Sequence, residues 1–317
     1  MKTMGDCMFK PIVVTVITLL TILQSDELPA RTLAPAATEE VAPRVFTPQE
    51  LKKRQQIYES AWADYEKKKY KDSFSKSMKA CEMDEARACG LVAFHYIRGR
   101  GVKQDMTKSF DFFDYSCNLG NGASCFMAGK QLYNGDGVEQ NYKDAANYFD
   151  LSCQYDDDAG CQSLAFAYYD GNGVDQDDTK AAKFFSKACS LGDAYSCFST
   201  GRAYDLGRGV EKDYFQAFKY YSQSCDKGIS GACTNLAILY DTGSGVKQDY
   251  FKGFDLHKKA CNLGSEVGCF NLARSYDNGE GTRQDKAKAK ELYGKSCDMK
   301  YQEGCDAYAK MNQKGIK

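Results

Sequence analysis

Fourteen of the fifteen cysteines form seven pairs that share one spacing and recur with one period. The two cysteines of a pair are eight residues apart, and the first members of successive pairs are 36 residues apart every time. The first members are Cys81, Cys117, Cys153, Cys189, Cys225, Cys261 and Cys297, and the second are Cys89, Cys125, Cys161, Cys197, Cys233, Cys269 and Cys305. A fixed period without insertion over so long a stretch predicts an array of structural repeats.

Glycine, valine and acidic residues follow the same 36-residue period. They form a G-x-G-V-x-x-D loop in each repeat, with Asn141 as a variant of the acidic position and Thr282 as a variant of the valine. The first glycines are Gly99, Gly135, Gly171, Gly207, Gly243 and Gly279, and the last positions are Asp105, Asn141, Asp177, Asp213, Asp249 and Asp285. Glycine takes positive φ cheaply and ends helices, whereas Asp and Asn are preferred N-caps. The loop therefore predicts the end of one helix and the start of the next.

Two helices per repeat follow from the hydrophobic spacing. Cys197, Thr200 and Tyr204 recur at the spacing of one buried helix face before the loop. After the loop, residues 213–225 predict a second helix with the small residue Ala217 on its packing face. Neither helix buries its apolar face alone, so neighbouring repeats must stack. The predicted fold is all-α, an α/α solenoid (superhelix) of 36-residue repeats.

The spacing of eight places each cysteine pair at the joint between two repeats. On one continuous helix these residues would be about 12 Å apart, too far for a disulfide, so the chain must turn back between them. Gly120, Gly192, Gly228 and Gly264, each three residues after the first cysteine, supply that turn. We predict seven structural disulfides: Cys81–Cys89, Cys117–Cys125, Cys153–Cys161, Cys189–Cys197, Cys225–Cys233, Cys261–Cys269 and Cys297–Cys305.

Two other uses of the cysteines agree less well with the sequence. Zinc needs four ligands at one point, whereas consecutive pairs are a whole repeat apart and the only histidines are His95 and His257. A redox-active dithiol usually has a close pair such as C-x-x-C, which is absent. We therefore predict no metal and no cofactor.

The two ends of the chain depart from the repeat. Lys2 and Lys10 precede the apolar run 12–23, which suits a signal-peptide core and is short for a membrane span of about 20 residues; the alternative is an uncleaved anchor. The predicted organisation is a signal peptide or anchor (1–25), a flexible linker (26–47), an N-terminal capping helix pair (48–81) with Trp62 buried, six repeats (82–300) and a C-terminal capping helix (301–317). The predicted location is secreted or periplasmic.

The charge balance bears on the class of partner. The formal net charge of −1 provides no electrostatic basis for nucleic-acid binding. The predicted partner is a peptide, a protein or a peptidoglycan-like ligand. We predict that the mature body contacts no membrane and is a monomer.

The G-x-G-V-x-x-D loop, the alanine column and the 36-residue period resemble those of Sel-like repeats, relatives of the tetratricopeptide repeat. With the cysteine pairs eight apart, the chain resembles the Helicobacter cysteine-rich protein family, secreted Sel-like repeat proteins with one disulfide per repeat. The resemblance covers about residues 75–310. Some members are described as penicillin-binding proteins with β-lactamase activity, so the resemblance implies that hydrolase activity as an alternative function.

Exposed first-helix residues are the candidates for a binding groove. In a helical-repeat superhelix, first-helix residues that face away from the stack line the inner surface. Counted from the second cysteine, positions two, five, six and nine are expected on that face. The candidates are Asn235 and Asn271 at position two, and Lys130, Arg202 and Arg274 at position five. Their amides and cations suit a peptide backbone and its carboxylates, which predicts an exported binding scaffold.

The sequence leaves a catalytic site unassigned. Ser73 with Lys76 and Ser244 with Lys247 match the S-x-x-K motif of serine β-lactamases. The partner motifs S-D-N and K-T-G are absent, and about two such S-x-x-K matches are expected by chance in this composition. No catalytic residue is predicted.

Overall fold

The computed structural model describes residues 45–316. Within them it contains only α-helices and no strand, which confirms the all-α repeat fold. The helices are α1 (Pro48–Glu66), α2 (Tyr70–Cys81), α3 (Ala86–Arg98), α4 (Met106–Asn118), α5 (Gly122–Asn134), α6 (Tyr142–Gln154), α7 (Asp158–Asp170), α8 (Asp178–Leu191), α9 (Ala194–Leu206), α10 (Tyr214–Asp226), α11 (Ser230–Thr242), α12 (Tyr250–Asn262), α13 (Glu266–Asn278), α14 (Lys286–Asp298) and α15 (Gln302–Gln313). The predicted signal peptide and residues 26–44 of the predicted linker lie outside the described residues.

The chain divides between residues 155 and 156 into two compact units, which are described separately. The first unit contains α1–α6 and the second contains α7–α15. Within each unit every helix packs against the next helix along the chain, and in the second unit α11 also contacts α13. Packing that is strongest between neighbouring helices is the pattern expected of stacked repeats.

The loop columns form the helix ends that the sequence predicts. The first glycine of each loop is the C-cap of a first helix and has a left-handed backbone, with φ between 60° and 79°. The Asp or Asn of each loop is the N-cap of the second helix, and its side chain accepts from the backbone N–H three residues on. These contacts satisfy helix-end groups that would otherwise lack a partner.

Small and aromatic columns fill the space between the helices. In the second unit Ala217 is fully buried beside Tyr221. The Tyr221 hydroxyl donates to the Asp205 carboxylate at 3.0 Å, and burial raises the pKa of this tyrosine. One repeat later His257 occupies the equivalent position, with its Nε2 2.9 Å from Asp241. A buried ring with an acidic partner is thus part of the core in both repeats.

Disulfides join consecutive repeats across short turns. Bonds with Cα–Cα distances of 4.4–4.7 Å are Cys81–Cys89, Cys117–Cys125, Cys189–Cys197, Cys225–Cys233, Cys261–Cys269 and Cys297–Cys305. The predicted Cys153–Cys161 bond spans the boundary between the two units and stays a prediction. So many bonds within one chain indicate an oxidising, extracytoplasmic environment.

The turn inside each cysteine pair requires positive φ whether or not glycine is present. Gly120, Gly192, Gly228 and Gly264 take φ of 90°, 119°, 90° and 89°. Asp84, Asp156 and Lys300 occupy the same place in other repeats and take φ of 58°, 57° and 71°. A lysine in this region is strained, because its Cβ crowds the following carbonyl oxygen.

We expect Lys300→Gly to raise the free energy of unfolding by about 1 kcal/mol, since the strain removed is about 1–2 kcal/mol and the added backbone freedom of glycine offsets part of it. Urea unfolding with the disulfides intact measures the change. The reciprocal variant Gly264→Lys should lose a similar amount. A less stable Lys300→Gly protein would contradict this interpretation of the turn.

The prediction that Trp62 is buried in the N-terminal cap is wrong. Its side chain is 44% exposed, and its indole N–H donates to Glu66 at 3.0 Å while the ring stacks on Tyr65. Helix α1 packs against α2 and, more weakly, α3. Trp62 therefore lies on the side of α1 that these two helices leave open.

Candidate functional site

The predicted groove residues do not share one environment. Lys130 of α5 is exposed in the first unit, and Arg202 of α9 and Arg274 of α13 are exposed in the second. Asn235 of α11 is half-buried and its side chain reaches the Tyr221 hydroxyl. Position five of the first helix is therefore the more open of the two candidate columns.

Asn271 departs from the expectation of an exposed groove residue. It is only 7% exposed. Helix α13 is contacted by α11, α12 and α14. Asn271 is turned toward protein and offers little surface to a ligand, whereas Asn235 at the same position of α11 is half-buried.

The second unit contains an open pocket of about 190 Å³ between α7, α8 and α9. Its lining is Phe166, Tyr169, Asp178, Ala181, Ala182, Phe185, Tyr195, Ser199, Arg202, Ala203, Leu206 and Arg208. Of the predicted groove residues, Arg202 lines it. Tyr195 and Leu206 are 44% and 61% exposed, so the pocket opens to solvent at α9.

The pocket exists because this repeat departs from its own columns. Asp178 occupies the position of Tyr214 and Tyr250 in the next two repeats. Ala182 occupies the position of Phe218 and Phe254, and these two rings pack against Tyr240 and Tyr276, respectively. Alanine also occupies the second position in the preceding repeat, at Ala146, so the feature peculiar to this repeat is the combination of that alanine with Asp178.

Aromatic rings form the apolar wall of the pocket. Phe166 meets Phe185 edge to face, with centroids 5.0 Å apart, and lies 6.1 Å from the Tyr195 ring. Edge-to-face contacts at this distance hold rings in defined positions. The wall is therefore preformed rather than dependent on a ligand for its shape.

The charged lining of the pocket is one ion pair and one further cation. The Arg208 Nε lies 2.9 Å from Asp178 Oδ2, and the same guanidinium donates to the Tyr169 hydroxyl and lies over that ring. Asp178 Oδ1 is buried and has no hydrogen-bond partner. Arg202 has a Phe198 ring 5.9 Å away and no ion pair within the described residues. The charged lining therefore sums to about one positive charge.

The S-x-x-K matches do not form a catalytic site. Ser73 is fully buried, and its hydroxyl lies 3.0 Å from His95 Nε2, while Lys76 pairs with Asp64 on another side of α2. His95 is also buried, and desolvation lowers its pKa. This serine–histidine pair, which sequence reasoning did not find, has no opening through which a substrate could reach it.

The second match is equally unsuited to catalysis. Ser244 accepts a hydrogen bond from Thr242 at 2.9 Å, and Lys247 does not bond to it. The resemblance-derived β-lactamase activity thus has no support in the residues 45–316. Over the same range no three His, Cys, Asp or Glu side chains are placed to hold a metal ion. None of the helices in that range is long and apolar enough to cross a membrane.

The helix pairs, glycine loops and joint disulfides define a protein of the α/α repeat class. A family model of the Sel1 repeat matches residues 86–121, 122–154, 159–193, 194–229, 230–265 and 267–301. The chain belongs to the Sel1 repeat family, which confirms the predicted resemblance to Sel-like repeats. A comparison with curated proteins found no match.

Solved structures with the same repeat are similar to this chain. A protective antigen of uropathogenic Escherichia coli with an SLR fold is 25% identical, with a TM-score of 0.77, over 86% of this chain and 60% of that chain. The match thus spans less than two thirds of that antigen. A Sel1 repeat protein from Oxalobacter formigenes is 21% identical, with a TM-score of 0.62, over 76% of this chain and 96% of that chain. Helicobacter pylori cysteine rich protein B is 31% identical over 40% of this chain and 94% of that chain, with a TM-score of 0.33.

Proposed function

We propose that this protein is an exported scaffold whose Sel1 repeats bind a peptide segment of a partner protein, and that one side chain of that segment enters the α7–α9 pocket. The observation that carries the proposal is the preformed aromatic pocket with an exposed arginine at its edge. Helical-repeat arrays commonly present such surfaces to peptides and proteins. The disulfides and the predicted signal peptide support export to the periplasm or beyond.

The size of the pocket favours one side chain over a whole small molecule. Pockets for drug-sized ligands usually have volumes of about 300–1,000 Å³, whereas an engineered cavity of about 150 Å³ holds a single benzene. At about 190 Å³ this pocket matches the smaller case. A buried anchor side chain surrounded by weaker contacts is the usual energetic pattern of peptide and protein recognition.

Filling the pocket should remove peptide binding. We expect Ala182→Phe, which places here the ring that Phe218 and Phe254 supply in later repeats, to reduce by at least about tenfold the affinity of peptides selected from a displayed library on the oxidised protein. The matched control is Thr179→Phe, which adds the same ring to the exposed side of α8, where its equivalents Phe215 and Phe251 are 64% and 73% exposed.

The comparison of the two variants decides the result. If Ala182→Phe loses peptide binding and Thr179→Phe keeps it, the pocket is supported as the peptide-binding site, provided that circular dichroism shows unchanged helix content in both variants. Ala203→Leu fills the same space from α9, with Leu239 as its equivalent in the next repeat, and tests the pocket if Ala182→Phe folds poorly. Selected peptides that bind every variant equally would overturn the proposal.

A further inference from the structure

We infer that the α7–α9 pocket recognises an aromatic side chain whose neighbouring residue in the peptide carries a carboxylate. This inference rests on the proposed function and adds the chemistry of the bound segment. Two features of the lining each specify one part of the ligand: the ring wall and Arg202, which has no ion pair among the described residues.

The ring wall specifies the side chain. Phe166, Phe185 and Tyr195 surround the pocket on one side, and Ala181 and Ala182 supply a small floor. A cavity of about 190 Å³ has room for one six-membered ring and little more. An aromatic ring of the ligand gains edge-to-face contacts with this wall that an aliphatic side chain of equal area does not make.

Arg202 specifies an acidic group beside that ring. Arg208 is already neutralised by Asp178, at 2.9 Å, and held by Tyr169, whereas Arg202 has no carboxylate partner among the described residues. Arg202 extends from the exposed column of α9 while lining the pocket. A carboxylate bound there forms a charge-assisted hydrogen bond without displacing an existing ion pair. The Arg202 guanidinium lies at the edge of the pocket. We therefore place the ligand carboxylate on the peptide residue next to the aromatic residue whose ring enters the pocket.

The carboxylate of Asp178 is already engaged within the protein. Its Oδ2 lies 2.9 Å from the Arg208 Nε, and its Oδ1 is closed to solvent, so neither oxygen is offered to a ligand. Asp178 therefore leaves Arg202 as the cation that can bind an external carboxylate. The preference for a peptide over a free aromatic acid follows from the proposed function and is tested below.

The test uses defined peptides and the oxidised full-length protein. The probes are a blocked heptapeptide with one phenylalanine followed by glutamate, its glutamine analogue, its analogue with alanine for phenylalanine, and a peptide that ends in phenylalanine with a free α-carboxylate or a C-terminal amide. Free 3-phenylpropionate is the small-molecule probe. Dissociation constants come from titrations followed by the amide NMR signals of α7–α9.

We expect the glutamate peptide to bind about fivefold more tightly than the glutamine peptide, which is about 1 kcal/mol. Arg202→Gln should abolish this difference while the glutamine peptide keeps its affinity. Arg283→Gln is the control, because Arg283 is exposed and does not line the pocket. The terminal pair of peptides tells whether a C-terminal carboxylate serves as well as a glutamate side chain.

The outcomes separate this inference from the proposed function. If the glutamate and glutamine peptides bind with equal affinity and Ala182→Phe abolishes the binding of both, the proposed peptide scaffold is supported. The inferred carboxylate beside the aromatic residue is then wrong. Tight binding of 3-phenylpropionate, equal to that of the glutamate peptide, would overturn the peptide ligand. If none of the probes binds, the inferred ligand chemistry is wrong. If library-selected peptides nevertheless bind and Ala182→Phe abolishes their binding, the proposed function as a peptide-binding scaffold is still supported.

Discussion

Replacing Cys225 and Cys233 together by alanine should lower the free energy of unfolding of the second unit by about 2–3 kcal/mol, because the bond closes a short loop and restricts the unfolded chain. Both cysteines are fully buried, at 0% exposure, at the joint between α10 and α11. Alanine is chosen over serine so that no hydroxyl is buried without a partner. In a unit of this size the loss corresponds to a fall in Tm of about 5–10 °C.

The position of a disulfide in the array should set the size of its effect. The Cys297–Cys305 bond joins α14 to α15, and α15 is the last helix of the described chain, packed mainly on α14. Removing that bond should fray one helix, whereas removing Cys225–Cys233 weakens the stack on both sides of the joint. Thermal unfolding of the two double variants, followed by circular dichroism, makes the comparison. A larger loss from the terminal pair would contradict the role of the bonds as joints between repeats.

Gly245→Ala should be among the most damaging single substitutions in the second unit, with a loss of about 3 kcal/mol or more. Gly245 has φ of 69°, and a Cβ on it would lie 2.4 Å from the carbonyl carbon and oxygen of Tyr214 and 2.7 Å from the backbone nitrogen of Phe215. These are backbone atoms at the start of α10, so no side chain can rotate away. The loop of one repeat must then separate from the second helix of the preceding repeat.

Gly228→Ala separates the two causes of the loss in Gly245→Ala, which are the strain of the left-handed backbone and the contact of the added Cβ with the backbone of α10. Gly228 has φ of 90° and nothing within 4 Å of the position of an added Cβ. Its substitution should therefore cost only the left-handed strain, about 1–2 kcal/mol. Denaturant unfolding gives the free energy of unfolding of both variants. The difference between their losses is the cost of the contact between the added Cβ and the backbone of α10. Equal losses would show that backbone conformation alone explains the glycine in the G-x-G loop.

Features that depend on near neighbours in the chain could be predicted from the sequence. The N-cap aspartates bond to a backbone N–H three residues on, and the glycine C-caps and cysteine turns are equally local. Three of the seven cysteine turns nevertheless lack glycine and take the same conformation, at Asp84, Asp156 and Lys300. The packing of the repeats, and not the type of the individual residue, therefore sets the left-handed backbone conformation at those positions.

Features that depend on several helices at once could not be predicted. The spacing of apolar residues shows which face of a helix is buried. Whether the residues at the edges of that face are also buried depends on how the helices on both sides pack against it. Asn271 is buried whereas Asn235, at the same position of α11, is half-buried, and Trp62 is exposed because α1 packs against only α2 and, more weakly, α3. The Ser73–His95 contact joins residues 22 positions apart, and in the next repeat the same positions hold Ser109 and Gln131, so no histidine column marked the contact.

The sequence by itself determined the repeat length, the two-helix unit, the cysteine joints and the Sel1 family, because each rests on a pattern repeated at a fixed period. The tertiary structure decided where the array is open. The α7–α9 pocket is lined by Asp178 and Ala182, and this combination of residues leaves space only when α7, α8 and α9 are stacked. A missing ring leaves space only if no neighbouring side chain fills it, and that depends on the packing of all three helices.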